Sequence, residues 1–443
     1  MGVKEGYYPV RSAVMASISQ WLGYGMDAYD MTLVIALTPI LNKVFLPAAI
    51  SPFLASTITL LGYALTLLFR PIGSALFGHF GDRIGRRDTL LITLGGIGAA
   101  SALTAALPTY AQVGLVAYGL FAMLRAILGI FAGGEYAAGH PFAMEQVTPR
   151  WRGLFSGWVQ SGWPLGSGFA GLVVLAFEGW LGPAMYSVGW RYAFLTGLIP
   201  VVLGLAVRLA MNDTPLFQEL KKAGKVEKAP FFALFKPPTL WNFLQVLIVT
   251  TAALINYYAI AMGMVNLIPA AAKASAEVTA VLLLITGWVG LPLDVLAGLI
   301  SDFTGRRRLF IYTSIIFAVL SIPILYAFGV LGFIRGIVGY TYLGVSIMML
   351  SNALLWGPIP AYLTERFPTS RRASGVGFGY SLGLVIPAFT SVYIYYLHKA
   401  FLPIEGSIPW FTVAIYFIIS FVLFGIGAYL GPETKGVDLR EIT

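Results

Sequence analysis

Gly78-His-Phe-Gly-Asp82-Arg-Ile-Gly85-Arg86-Arg87 separates two long apolar runs, and Gly298-Leu-Ile-Ser-Asp302-Phe-Thr-Gly305-Arg306-Arg307 separates two more, 220 residues later. The same offset carries Glu145 and Arg152 onto Glu365 and Arg372, and Asp213-Thr214 onto Glu433-Thr434. A spacing that survives over so much chain marks an internal duplication, so one half of the sequence describes the architecture of the other. Gly78 and Gly85 permit a tight turn and a close approach of helices, while Asp82 and the arginines can pair with helix ends and with charges of the other half. Gly78, Asp82, Gly85, Arg86, Arg87, Glu145, Arg152, Asp302, Arg306, Glu365 and Arg372 therefore form a candidate gating set, a latch present twice.

The duplicated segments lie in a chain of 443 residues that is 58% hydrophobic and only 11% charged, with a mean hydropathy of +0.82. Soluble domains carry about 25% charged residues, and the apolar runs here are long and continuous rather than alternating, which selects membrane-spanning helices over a β-barrel. Twelve spans are expected, beginning near residues 13, 52, 89, 112, 153, 192, 242, 278, 309, 336, 374 and 408. The fold class is an all-α polytopic membrane protein of twelve helices in two six-helix repeats. The first apolar run is too long for a signal-peptide core and is expected to stay in the membrane. With a cytoplasmic N-terminus, 20 of the 28 lysines and arginines fall on the cytoplasmic side, 5 on the other and 3 inside spans. Both termini are thus expected in the cytoplasm, and the net charge of +9 reads as a topology signal rather than a nucleic-acid footprint. The expected organisation is an N-terminal half over residues 1–211, a basic cytoplasmic linker over 212–241 and a C-terminal half over 242–443. It describes a multi-pass protein of the cell membrane, a monomer whose partners are the lipid bilayer and a small molecule. The chain has no cysteine, which excludes disulfides and thiolate chemistry, and no metal-ligand spacing or cofactor motif is present. The sequence points away from an enzyme.

The segment from Arg70-Pro-Ile-Gly through Arg87 resembles the loop 2–3 signature of the major facilitator superfamily, in the form found in its metabolite:proton symporters. Arg125, Gly129, Gly133-Gly134-Glu135, Glu145, Arg152-Gly153 and Gln160 are similar to helices 4 and 5 of those symporters. Asp213-Thr-Pro-Leu-Phe217 resembles their segment after helix 6, and Pro432-Glu-Thr-Lys-Gly436 the C-terminal tag of sugar porters. Asp27-Ala-Tyr-Asp30 resembles helix 1 of sialate and monocarboxylate symporters and of aromatic-acid symporters. This places the chain in the sugar-transporter clan and implies alternating access between two halves around a central site. The resemblance to sugar porters also implies that the helix 1 aspartate titrates and that the helix 4 arginine is its partner, here Asp30 and Arg125. Helix 7 departs from the sugar porters, carrying Ile255-Asn256-Tyr257-Tyr258 in place of paired glutamines, and Ala361 stands where glucose-type porters have a tryptophan. Both departures argue against a hexose.

Charges inside spans are expensive and need a reason, about 2.5 to 3.5 kcal/mol each on insertion scales. The candidates are Asp27, Asp30, Arg70, Arg125, Glu135 and Asp294. Asp27 and Asp30, three residues apart, are expected on one face of the first helix, close enough to raise each other's proton affinity. Proton coupling is assigned to Asp30, Asp27 and Glu135, with protons the coupling ion and no other cofactor. Glu135 is expected to be an inner proton stop or a gate partner of Arg70 or the helix 5 backbone, and Asp294 to join the latch. Substrate binding is assigned to Arg125, Gln160, Tyr29, Asn256, Tyr257 and Trp356, and His79 and His140 are expected to be solvated or capping near helix ends. The functional expectation is proton-coupled symport of a small organic anion or carboxylate-bearing metabolite. The alternatives are a sugar symporter or facilitator, an exporter, and a sensor that uses the transporter fold without transport. The short segment after the last span argues against the sensor.

Overall fold

The architecture is that of a computed structural model, which describes residues 9–50 and 52–442. Among these residues every regular element is helical. Twelve spans follow in order. The first, α1 (Val10–Ala36), bends by 69° into a short helix, Thr38–Phe45, with Pro39 in its first turn. α2 is Pro52–Arg83. The others are α3 (Arg86–Ala106), α4 (Val116–Met144), α5 (Arg152–Tyr186), α6 (Gly189–Leu209), α7 (Thr239–Ala271), α8 (Val281–Thr304), α9 (Arg306–Ile334), α10 (Val338–Thr364), α11 (Thr369–Glu405) and α12 (Trp410–Leu430). Each has the length and apolarity to cross a bilayer, and large apolar side chains such as Leu61, Leu203, Val319 and Leu343 are exposed on the outer surface, where a lipid environment removes the cost they would carry in water. The segment between α6 and α7 forms two short helices, Pro215–Lys222 and Pro230–Ala233.

The two halves meet chiefly where α2 packs on α11 and α5 on α8. Glycine makes both approaches possible. A Cβ on Gly78 would sit 2.9 Å from the Ser374 Cα, and one on Gly298 would strike the Gly153 carbonyl. At the turns that follow, Gly85 has φ +127° and Gly305 φ +91°, values at which a side chain is strained. The duplicated motif thus fixes the same turn twice.

Three stretches of π-helix occur, Ala259–Leu267 in α7, Ile285–Val289 in α8 and Ala327–Ile334 in α9, all in the C-terminal half. In the other half α5 is interrupted at Ser161, between helical segments Arg152–Gln160 and Gly162–Leu181. One apolar cluster fills the N-terminal half alone; the other fills the C-terminal half and draws in Tyr24, Met31, Leu67 and Tyr136 from its partner half. The core therefore runs continuously through the plane between the halves.

Candidate functional site

On the face that carries the linker, the duplicated residues close a ring across the two halves. The Asp82 carboxylate accepts from the backbone N–H groups of Ala373 and Ser374 at 2.9 and 2.8 Å, the first turn of α11. The Asp302 carboxylate does the same with Gly153 and Leu154 at the start of α5, both at 2.8 Å. A carboxylate at a helix N-terminus satisfies donors that the helix leaves free and complements its dipole. Arg86 and Arg306 hold those aspartates at 3.1 and 2.8 Å. Beside them Glu145 pairs with Arg372 at 2.8 Å and Arg86 at 3.4 Å, and Glu365 with Arg152 at 2.9 Å and Arg306 at 3.6 Å. Thr214 donates to Glu145 at 2.5 Å and Thr434 to Glu365 at 2.6 Å. Burial alone would raise the Glu145 carboxyl, but Arg86, Arg372 and the Thr214 hydroxyl outweigh it and hold the group below its usual range. Arg87 lies outside the ring, donating to the Arg208 and Leu209 carbonyls. Asp294 makes no ion pair or hydrogen bond with the ring, contrary to the sequence reading; it lies two turns back along α8, buried where α8 passes α5.

Away from this face the N-terminal half holds three buried ion pairs. Asp27 accepts from Arg70 Nη2 at 2.5 Å. Asp30 pairs with Arg125 and also accepts from Ser101 at 3.3 Å. Glu135 is held by both terminal nitrogens of Arg208 and by Thr93 at 2.9 Å. The expected aspartate dyad does not form. Residues three apart on a helix diverge by about 60°, which here sends Asp27 toward α2 and Asp30 toward α3 and α4, each to its own guanidinium. Glu135 likewise meets neither Arg70 nor the α5 backbone, because Arg208, reaching in from α6, occupies both of its oxygens.

The residues assigned to substrate divide into two places. Gln160, Asn256, Tyr257 and Trp356 gather at the plane between the halves. The Tyr257 hydroxyl accepts from Trp163 Nε1 at 2.9 Å, Asn256 Oδ1 accepts from Asn352 at 3.1 Å, and Trp356 lies edge-on to Tyr380. Arg125 and Tyr29 are elsewhere. Arg125 spends its terminal nitrogens on Asp30 and Thr104, with Phe121 and Phe194 over the guanidinium. Tyr29 donates to the Ala193 carbonyl and bonds Thr196 at 2.5 Å inside the N-terminal half. Neither side chain faces the plane.

Arg70 does. Its guanidinium is within electrostatic reach of Tyr63, Tyr136, Tyr257, Tyr258 and Tyr380, three of them from the opposite half. Its Nε and Nη1 are buried without a partner. Gln160 Oε1, Asn256 Nδ2, Tyr136 Oη and His140 Nε2 are also buried and unpaired. Buried polar groups in folded proteins are almost always hydrogen-bonded; unpaired atoms also occur in the ring, at Nε of Arg86, Arg152 and Arg306, but those named here belong to side chains contributed by both halves. His140 corrects the sequence reading outright: it is fully buried, stacked on Tyr136 at 3.9 Å, and neither solvated nor capping.

The sequence matches the model of the Major Facilitator Superfamily over residues 20–390, a stretch that includes the ring up to Arg372, all three ion pairs and the central cluster. The chain belongs to this superfamily. Within it the chain is 30% identical to the inner membrane metabolite transport protein YhjE of Escherichia coli, over 88% of this chain and 89% of that one. It is 27% identical to the shikimate transporter of the same organism, over 97% of each. The fold is also that of a ligand-bound structure of the proton:xylose symporter XylE, with a TM-score of 0.78, 21% identity and coverage of 98% of this chain and 99% of the other. As a superfamily member with twelve spans, this is a multi-pass membrane transporter. Alternating access in such a fold uses a closure at one face and a site between the halves.

Proposed function

We propose that the protein is a proton-coupled symporter of the cell membrane that takes up a small carboxylate-bearing metabolite. Arg70 carries the substrate carboxylate, and the Asp30–Arg125 pair carries the proton. The observation that bears most of this reading is the half-paired Arg70. A buried guanidinium whose Nε–H and Nη1–H are unpaired, with Nη2 held by Asp27 and Met31, has charge-assisted donors left for a carboxylate, and its partner Asp27 keeps the site neutral until a substrate arrives. A neutral sugar would leave that charge unused, whereas an acid or a zwitterion with a carboxylate uses it.

Asp30 supports the coupling role by its setting. It is buried and paired with an arginine on another helix that cannot lose its proton. A proton on Asp30 would break an ion pair that joins two helices, which links protonation to conformation. The relative named a shikimate transporter fits a carboxylate cargo, and the likeness to the proton:xylose symporter XylE fits proton coupling. The charge asymmetry supports cytoplasmic termini, and on that reading the sealed ring is the cytoplasmic gate.

Uptake of radiolabelled monocarboxylates, sugar acids, aromatic acids, amino acids and hexoses into proteoliposomes, with and without an inward proton gradient, tests the proposal. Gradient-stimulated uptake of an acid, lost in Arg70→Gln, is expected. Uptake of a hexose in preference to every acid would overturn it.

A further inference from the structure

Three buried pairs are more than one coupling site needs, and the Glu135–Arg208 pair lies at the head of a chain of hydrogen bonds that ends in the central cluster. Arg208 can only donate, and its Nη2 lies 3.4 Å from Gln20 Oε1. That contact fixes the orientation of the Gln20 amide, with the oxygen toward Arg208 and the nitrogen away. Gln20 Nε2 in turn lies 3.4 Å from His140 Nδ1. An amide nitrogen offers only protons, so this contact asks Nδ1 for a lone pair and puts the single proton of the neutral ring on Nε2, in competition with the Tyr136 backbone carbonyl, which accepts from the ring. An imidazolium would set an N–H against the amide NH2, and turning the amide over would set that NH2 against Arg208. The amide chain therefore favours the Nε2–H tautomer.

The donor it leaves, Nε2–H, is buried and unpaired, on a ring stacked at 3.9 Å on Tyr136 and edge-on to Tyr24 at 5.1 Å. On the other side of Tyr24, Gln160 Nε2 donates to the Tyr24 hydroxyl at 3.3 Å, which leaves Gln160 Oε1 as an unpaired acceptor. An orphan donor and an orphan acceptor thus flank one aromatic ring. A hydroxyl both accepts and donates and satisfies the two together. A methylene satisfies neither, and a second carboxylate would face the Gln160 oxygen with another acceptor.

We infer that His140, held as an Nε2–H donor by Gln20 and Arg208, is a specificity-determining residue that selects carboxylates bearing a hydroxyl on the carbon skeleton. This rests on the proposed carboxylate site: Arg70 takes the acid group, and His140 with Gln160 reads the rest of the molecule.

The chain has three histidines, so nitrogen-15 spectra of histidine-labelled full-length protein in lipid nanodiscs are assignable by comparison with His140→Gln. The expected spectrum has His140 protonated on Nε2 and bare on Nδ1. In Gln20→Glu, which keeps the shape but presents an acceptor to Nδ1, the proton should move to Nδ1. A wild-type His140 protonated on Nδ1, or on both nitrogens, overturns the inference. Binding of shikimate is then compared with that of cyclohexene-1-carboxylate, the same ring without hydroxyls. Wild type should prefer shikimate, and His140→Phe should weaken shikimate roughly 5- to 150-fold, the range for stranding a buried polar partner, while leaving the bare acid unchanged. Equal binding of the two acids by wild type, or equal loss of both in His140→Phe, overturns the selection and reduces His140 to packing. A wild type that binds neither acid also overturns it; the carboxylate reading falls separately, on uptake of the acid panel by Arg70→Gln, and the tautomer spectrum depends on neither.

Discussion

The ring at the linker face and the layer of ion pairs behind it are built on opposite principles. In the ring every interaction occurs twice. Asp82 on the α11 N-terminus matches Asp302 on the α5 N-terminus, and Glu145–Arg372 matches Glu365–Arg152. In the ion-pair layer nothing is repeated. The offset of 220 carries Arg70, Arg125, Glu135 and Arg208 onto Gly290, Val345, Leu355 and Ala428, none of them charged, and α7, the counterpart of α1, has no Asp, Glu, Lys or Arg between Thr239 and Ala271. The C-terminal half thus shows that the same helical framework packs without these charges, which frees the pairs of the N-terminal half from a purely structural explanation. The ring thus follows the duplication, whereas the buried arginine–carboxylate pairs away from it lie, among the described residues, in the N-terminal half.

The largest effect should come from removing one side of that asymmetry. Arg208→Ala strands Glu135 in the interior and is expected to destabilise the protein by about 3 to 5 kcal/mol, the cost of leaving a buried charge unpaired. Glu135→Leu combined with Arg208→Ala installs the solution used at Leu355 and Ala428, and should recover most of the lost thermal stability. A double variant as unstable as the single one would mean that the halves are not interchangeable frameworks, and the comparison would break.

Arg70→Lys comes next. It keeps the charge opposite Asp27 but not the unpaired Nε and Nη1 donors, and should weaken carboxylate binding roughly 10- to 150-fold, as for loss of hydrogen bonds to a charged group. Equilibrium binding in detergent reads this directly, and wild-type affinity would remove Arg70 from the site. Asp82→Asn and Asp302→Asn sharpen the other side of the comparison. Each should shift the balance of states by about 1 to 3 kcal/mol toward an open ring, by similar amounts because the two contacts are equivalent. Single cysteines introduced at the linker face of a chain that has none should label faster in both variants, and labelling that responds to only one of the two would show a functionally lopsided gate.

The smallest effect concerns Asp213, outside the spans, whose carboxyl burial raises to about 6 against the pull of Arg86. With its folded value above the unfolded one, Asp213 binds more protons in the folded state than in the unfolded state between about pH 4 and pH 6. Stability therefore falls as pH rises through that window. Asp213→Asn should flatten that slope in thermal unfolding scans, and an unchanged slope would assign it to other groups.

The duplicated motif made the architecture and the gate legible in the sequence, because turn glycines and interface charges keep their spacing whatever lies between them. The residues of the central plane were legible in part. Gln160, Asn256, Tyr257 and Trp356 stand out as polar or aromatic side chains within spans, and the structure brings them together. Which charge meets which was not readable, since pairing depends on how helices rotate against one another. Arg125 and Tyr29 turn into the N-terminal half, and Arg70 takes the central position. Arg208, one of three arginines inside spans, needed a buried acid, and Glu135 was available; that signal was present but ambiguous. His140 was missed because its place near a helix end suggested solvent, while its burial comes from Tyr24 and Tyr136, which only the packed structure sets around it.

The central claim, that the N-terminal half alone carries the coupling chemistry, is tested most directly at Asp30. Proteoliposomes containing wild type should accumulate the labelled acid against its gradient when protons are driven inward. Asp30→Asn should lose this accumulation while still exchanging labelled for unlabelled acid, because exchange at fixed protonation does not require the carboxyl to cycle. Gradient-driven accumulation by Asp30→Asn at the wild-type level would contradict the account.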